Sequence, residues 1–238
     1  MRVRALVTAL AATATCVVTG VTVGTPVAHA TQAVPPASGP AASSKDCGRP
    51  HGPLVAYGHS YLLSPQIGGA TASYATLAAT AMGVKPVIRA VNGGTTLNVD
   101  TLVHSGKTRW VPGTSDLVVI DSAINDIKNK LPTEQWTGAL KRVLSAFAAA
   151  PVPVILLVRP LQVQAPTHPG HDPKVIAAYA SAQRKVASQF DAVRIVDASS
   201  GWNPRLDLSV DGIHPNPVGE VHLAKALQHA AQRALCSP

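Results

Sequence analysis

Leu117-Val118-Val119-Ile120-Asp121-Ser122-Ala123-Ile124-Asn125-Asp126 is the most regular segment of this 238-residue chain. Its first four residues are apolar and run without interruption into Asp121, the pattern of a strand buried on both faces. The Asn125-Asp126 pair then leaves that strand at its carboxyl end. Working outward, residues 54–57, 86–91, 152–158 and 193–196 give four further apolar strands. Helical repeats fall between and after them. Residues 73–82 are Ala-rich. Residues 133–150 place Trp136, Leu140, Val143, Leu144 and Phe147 on one face, behind a Pro132-Thr133-Glu134 start. Residues 174–190 repeat Ile176, Tyr179, Val186 and Phe190, and residues 218–235 put Val221, Ala224, Leu227 and Leu235 inward. Strand and helix alternate, so the chain is expected to form a three-layer α/β/α sandwich around a mostly parallel, five-stranded sheet. Functional loops should then lie outside the carboxyl ends of the strands.

The segment ahead of this domain reads differently. Residues 1–30 have a basic start (Arg2, Arg4), an uncharged stretch over 5–23 and Ala28-His29-Ala30 at the end, the spacing of a secretory signal peptide. A membrane anchor is the competing reading, but Thr and Gly interrupt the run and it closes on the cleavage pattern. No other apolar run is long enough to span a bilayer. Cys16 is discarded with the peptide. Residues 31–53 are rich in Pro, Ala, Ser and Gly and form a flexible leader, and residues 54–238 form the single domain. Two cysteines remain, Cys47 and Cys236, in a compartment where disulfides persist, and they are expected to pair rather than stay as free thiols. Such a bond closes a very long loop, worth about 4 kcal/mol in the chain-entropy model.

Removal of Arg2 and Arg4 leaves 18 Lys+Arg against 12 Asp+Glu, a formal charge of +6. The basic residues are scattered and only 4% of the chain is aromatic, so no nucleic-acid surface is indicated.

Three loops carry groups that acyl chemistry needs. After the first strand, Gly58-His59-Ser60-Tyr61 supplies the Ser60 hydroxyl. After the second, Asn92-Gly93-Gly94 supplies backbone N–H groups with no side chain in the way. After the third, Asn125 supplies an amide. Near the carboxyl end, Asp211-Gly212-Ile213-His214-Pro215-Asn216 sets a carboxylate and an imidazole three positions apart. Gly212 permits a turn between them and Pro215 fixes the backbone after the imidazole, although a surface turn with an N-cap at Asn216 would explain part of the same hexapeptide. A carboxylate beside a neutral imidazole selects its tautomer and stabilises the imidazolium that forms when it takes a proton.

Taken in order, Gly-x-Ser, Gly, Asn-Asp and Asp-x-x-His resemble the SGNH hydrolases, also called the GDSL lipase/esterase family, over nearly all of the domain. The resemblance implies a flavodoxin-like fold with Ser60 as nucleophile, His214 as base and Asp211 as the carboxylate that orients it. It implies an oxyanion hole of Ser60 N–H, Gly94 N–H and the Asn125 side chain. Two departures stand out. His59 replaces the Asp of the usual Gly-Asp-Ser block, so an interaction that braces the loop is either lost or remade by the imidazole. Ala123 replaces the Gly that commonly opens the Asn-Asp block, a change expected to leave the backbone path open. The Asn-Gly spacing of the second block is also unusual, and Gly94 is preferred over Gly93 because Thr95-Thr96-Leu97 follows it. An α/β-hydrolase is disfavoured, since Leu62 stands where a Gly-x-Ser-x-Gly elbow needs its second glycine.

The loop over residues 159–173 holds His168, His171 and Asp172. With no helix to align ligands and no Cys or Glu nearby, it reads as a polar lid rather than a zinc site. Trp110 and Trp136 read as core, while Trp202, ahead of Asp211, is a candidate for lining an acyl or sugar pocket. The expectation is a secreted serine esterase or lipase that hydrolyses carboxylic esters of small molecules, lipids or polysaccharides, without metal or organic cofactor. Its activity should rise with pH through about 6.5 as an imidazole loses its proton. An O-acyltransferase using the same residues and a non-catalytic binding protein on the same fold are the alternatives.

Overall fold

A computed structural model of the chain describes residues 50–164 and 170–236. Residues 1–49, which cover the expected signal peptide, nearly all of the expected leader and Cys47, and also His168 lie outside the described residues. Strands β1 (Leu54–Gly58), β2 (Pro86–Ala90), β3 (Leu117–Asp121), β4 (Val154–Val158) and β5 (Val193–Val196) form one sheet in the order β2-β1-β3-β4-β5, and every pairing is parallel. The expected mostly parallel sheet is thus wholly parallel.

The helices are α1 (Ser60–Leu63), α2 (Tyr74–Ala81), α3 (Thr96–His104), α4 (Ile124–Lys128), α5 (Thr133–Ser145), α6 (Pro173–Ala187), α7 (Pro204–Asp207) and α8 (Pro217–Cys236). Because side chains alternate along a strand, the sheet has two apolar faces. Leu54, Ala56, Leu117, Val119 and Leu156 pack under α2 and α8. Val55, Tyr57, Val118, Ile120 and Leu157 pack under α3, α5 and α6. Full burial of each such aliphatic side chain contributes about 1.5–3 kcal/mol. Among the described residues no helix is long and apolar enough to cross a membrane.

Several boundaries differ from expectation for identifiable reasons. Strand β4 begins at Val154, not Val152, because Pro153 has no N–H to donate. Val154 is the first residue there whose N–H donates, to Asp116 O at 2.8 Å. Helix α5 stops at Ser145, yet Phe147 beyond it stays fully buried, as do Trp136, Leu140 and Val143. In α8, Val221 is 45% exposed and the inward stripe is Leu223, Ala224, Leu227, Ala230 and Ala231.

The strand order positions the site. The chain moves from β1 outward to β2 and then returns to place β3 on the other side of β1. Loops leaving β1 and β3 therefore diverge, which opens a crevice at their carboxyl ends. Ser60 follows β1 and Asn125 follows β3.

Candidate active site

The loop between Leu208 and Pro215 is a tight hairpin. Leu208 and Pro215 form an antiparallel bridge, Ser209 N–H donates to His214 O at 2.8 Å, and Gly212 N–H donates to Ser209 O at 2.9 Å. Gly212 takes φ +70°, a left-handed conformation costly for other residues. Asn216 then caps α8 by accepting from Val218 N–H and Gly219 N–H, and its amide holds the carbonyls of Leu206 and Leu208. The hexapeptide ends in a helix cap and also presents an imidazole.

That imidazole lies between two partners. Asp211 Oδ2 accepts from His214 Nδ1–H at 2.6 Å, which leaves Nε2 as the acceptor, 2.8 Å from Ser60 Oγ. Ser60 is buried and His214 and Asp211 are partly exposed. Burial of Asp211 disfavours its charge, but the hydrogen bonds from His214 Nδ1–H and from the N–H groups of Ile213 and His214 outweigh it, and its carboxyl sits below the usual range. Gln66 adds a further donor to Oδ2 at 2.8 Å. The arrangement can pass a hydroxyl proton to an imidazole while a fixed carboxylate steadies the cation.

Ser60 is the first residue of α1, so its N–H has no intrahelical acceptor. Asn125 Nδ2 donates one hydrogen to Gly94 O at 2.9 Å, which fixes the amide plane and leaves its second hydrogen for another acceptor. The expected role of Gly94 needs correction. Its N–H is engaged in a turn with Val91 O at 2.9 Å, so Gly94 holds Asn125 through its carbonyl rather than donating to an oxyanion. A side chain at Gly94 is excluded, since a Cβ there would lie 2.9 Å from Val91 O.

His59 is engaged within the nucleophile loop and with the end of β3. Its Nδ1 accepts from Tyr61 N–H at 3.4 Å as the cap of α1, and its Nε2 lies 3.2 Å from Asp121 Oδ1, off the line of a hydrogen bond. The brace that an Asp would supply is remade by the imidazole together with Asp121 at the end of β3. The Ala123 departure is less neutral than expected, because Ala123 takes φ +88°, where only glycine is unstrained.

Several residues take positioning roles that the sequence did not reveal. Tyr61 donates its hydroxyl to Ile213 O at 2.6 Å and so ties the Ser60 helix to the His214 hairpin. Asp126 is buried and accepts from Thr96 N–H, Thr96 Oγ and Ala123 N–H, joining the second and third loops. Glu220 is buried beneath α1 and accepts from Ser64 Oγ at 2.7 Å and Tyr74 N–H at 2.6 Å. His171 is also buried and donates Nε2–H to Ile124 O at 2.9 Å, while Asp172 caps α6. These two are structural ties rather than an open lid. Among the described residues no group of three or more potential ligands could hold a metal ion. Trp110 and Trp136 are core residues. Trp202 donates its indole N–H to Gln162 O and lies against His222, knitting the loops after β4 and β5 together.

The model of the GDSL-like lipase/acylhydrolase family matches residues 56–220. No curated protein matches the chain. Among solved structures, it is similar to a lipase/acylhydrolase from Enterococcus faecalis, with 16% identity, 76% of this chain and 96% of the other covered, and a TM-score of 0.62. A member of the lipolytic G-D-S-L family from Veillonella parvula is similar at 11% identity, covering 76% and 98%, with a TM-score of 0.62. At these identities the structural likeness speaks for the fold.

Proposed function

Because the chain belongs to the GDSL-like lipase/acylhydrolase family, we propose that it is a serine esterase that hydrolyses carboxylic esters through an acyl-Ser60 intermediate. The observation that carries this reading is the continuous line from Ser60 Oγ through His214 to Asp211, with contacts of 2.8 and 2.6 Å. Ser60 Oγ attacks the ester carbonyl carbon as its proton passes to His214 Nε2. The oxyanion is held by Ser60 N–H and the second hydrogen of the Asn125 amide. The ester C–O bond then breaks and the leaving alkoxide takes the proton from His214. Water, deprotonated by the same imidazole, attacks the acyl-enzyme and releases the carboxylic acid. Asp211 remains ionised throughout, which favours the tautomer with the proton on Nδ1.

We also propose export of the mature protein, on the pattern of residues 1–30, and a Cys47–Cys236 bond that ties the leader to the end of α8. A mass difference of two hydrogens between oxidised and reduced peptide maps of the secreted protein tests that bond.

The activity is tested by fluorophosphonate labelling with peptide mapping, alongside hydrolysis of p-nitrophenyl esters. Label on Ser60 that is absent from Ser60→Ala and His214→Ala is expected. An unlabelled, folded wild-type protein across neutral pH would overturn the esterase reading in favour of a binding protein. Faster transfer to added alcohols than to water would reassign it as an acyltransferase.

A further inference from the structure

The carboxyl ends of β1, β3 and β4 enclose a small cavity lined by His59, Asp121, Ser122, Val158, Arg159 and Leu223. It offers about 10 Å³ of room for a water's centre, the space of a single water molecule. Three of the side chains on its wall each have a buried polar atom without a hydrogen-bond partner: His59 Nε2, Ser122 Oγ and Arg159 Nε. His59 is 1% exposed and Ser122 2% exposed. Buried polar atoms without partners are uncommon in folded proteins, and three around one cavity share a cause.

We propose that this cavity binds one structural water, which braces the nucleophile loop from behind. The chemistry of the wall is that of a water site. Because His59 Nδ1 accepts from Tyr61 N–H, the neutral ring carries its proton on Nε2, and Arg159 Nε–H is a second donor. Ser122 Oγ and Asp121 Oδ1 are the acceptors; the other Asp121 oxygen already takes the Tyr74 hydroxyl at 2.8 Å. A water that accepts two hydrogen bonds and donates two satisfies all four. A cation would face the Arg159 guanidinium, and an anion would face the Asp121 carboxylate.

The water joins the loop after β1 to the loops after β3 and β4. Arg159 Nη1 also donates to Asp197 at 2.8 Å, so the strut runs from the His59 loop across the ends of β3 and β4 to the segment after β5. It fixes the His59 ring, and His59 caps α1 one residue from Ser60. His59 is thereby a positioning residue for Ser60. This last step rests on the esterase reading, whereas the water does not.

A crystal structure of the mature protein at a resolution that reveals ordered water is the first test. One water within hydrogen-bond reach of His59 Nε2 and Ser122 Oγ is expected. A cavity without density, with the His59 ring turned to bond Asp121 directly, would overturn the proposal. The second test is Ser122→Val, whose methyl groups fill the space and remove an acceptor. Its structure should lack the water, and Ser60 labelling and kcat should fall about tenfold with KM little changed, the signature of a misplaced nucleophile. Expulsion of the water with wild-type labelling rate would refute the positioning role. An unlabelled wild type would overturn the esterase reading and leave the water to be decided by density alone.

Discussion

Replacing Glu220 by Gln should make the protein more stable at pH 8 and nearly unchanged at pH 5. Glu220 has no solvent exposure. Burial pushes its carboxyl up to about 8, against the hydrogen bonds from Ser64 Oγ and Tyr74 N–H and with the help of the nearby Asp121 charge. In the unfolded chain the same group titrates near the ordinary Glu value of about 4.3. Between these two values the folded protein holds the proton and the unfolded chain does not, so stability falls as pH rises. The slope approaches about 1.4 kcal/mol per pH unit and is lost again above the folded value. Over the whole window the effect is on the order of 4–5 kcal/mol. Gln cannot titrate, and it fits the same partners: its carbonyl accepts from Tyr74 N–H and its amide donates to Ser64 Oγ, whose own hydrogen serves Tyr61 O at 3.1 Å. Urea unfolding of both proteins at pH 5, 6, 7 and 8 gives the comparison. The stability of Glu220→Gln minus that of wild type should grow from within about 1 kcal/mol at pH 5 to several kcal/mol at pH 8. A difference that stays constant over this range would show Glu220 ionised in the folded state throughout, and the argument would fail.

Asp211→Asn offers an amide to His214 and favours the wrong imidazole tautomer, so kcat on p-nitrophenyl esters should fall by about 10³–10⁴-fold while the fold is retained. Because the hydrogen bonds to Asp211 hold its carboxyl below the usual range, it stays ionised when an imidazole gains its proton. The acid limb of kcat/KM in wild type should therefore follow a single ionisation, and a flat profile from pH 5 to 8 would count against His214 as the base. Asn125→Ala should lower kcat about 10²–10³-fold with a small change in KM, and an equal rise in KM with kcat preserved would remove Asn125 from the oxyanion site. Ala123→Gly relieves a φ of +88° and should raise unfolding stability by about 1 kcal/mol; a loss would mean that the buried methyl outweighs the strain.

The sheet was legible because burial on both faces leaves long apolar runs. Leu117–Asp121 was read to the residue, and Val193–Val196 likewise. Helix α3 was not read at all: Thr95, Thr96, Val99, Thr101 and Val103 are β-branched, a composition typical of strands. What makes the segment helical is tertiary, since Asp126 accepts from Thr96 at the helix start and Val99 and Val103 are buried under the sheet. Ser60, His214, Asp211 and Asn125 were legible because their residue types and order are distinctive, and the structure brings their three loops to one end of the sheet. The Gly94 N–H was not assignable, because the sequence shows that a glycine is present but not which way its peptide faces. The positioning roles of Tyr61, Asp126 and Glu220 were not legible for a related reason: a buried polar residue acquires its meaning from a partner up to 156 positions away.

An imidazole at position 59 suits the charges around it. Asp121 and Glu220 both lie buried around Tyr74, and each raises the cost of ionising its neighbours. A carboxylate at position 59 would face Asp121 directly, and two like charges at that separation in a buried site are costly to maintain together. An imidazole at the same place inverts the interaction: it supplies a hydrogen toward Asp121 and keeps a lone pair for Tyr61 N–H, so the helix that opens with Ser60 remains capped. The acidic partner of the loop lies at the end of β3, and Glu220 is accommodated by holding its proton. The nucleophile loop is thus braced by one donor, one carboxylate and one capped N–H.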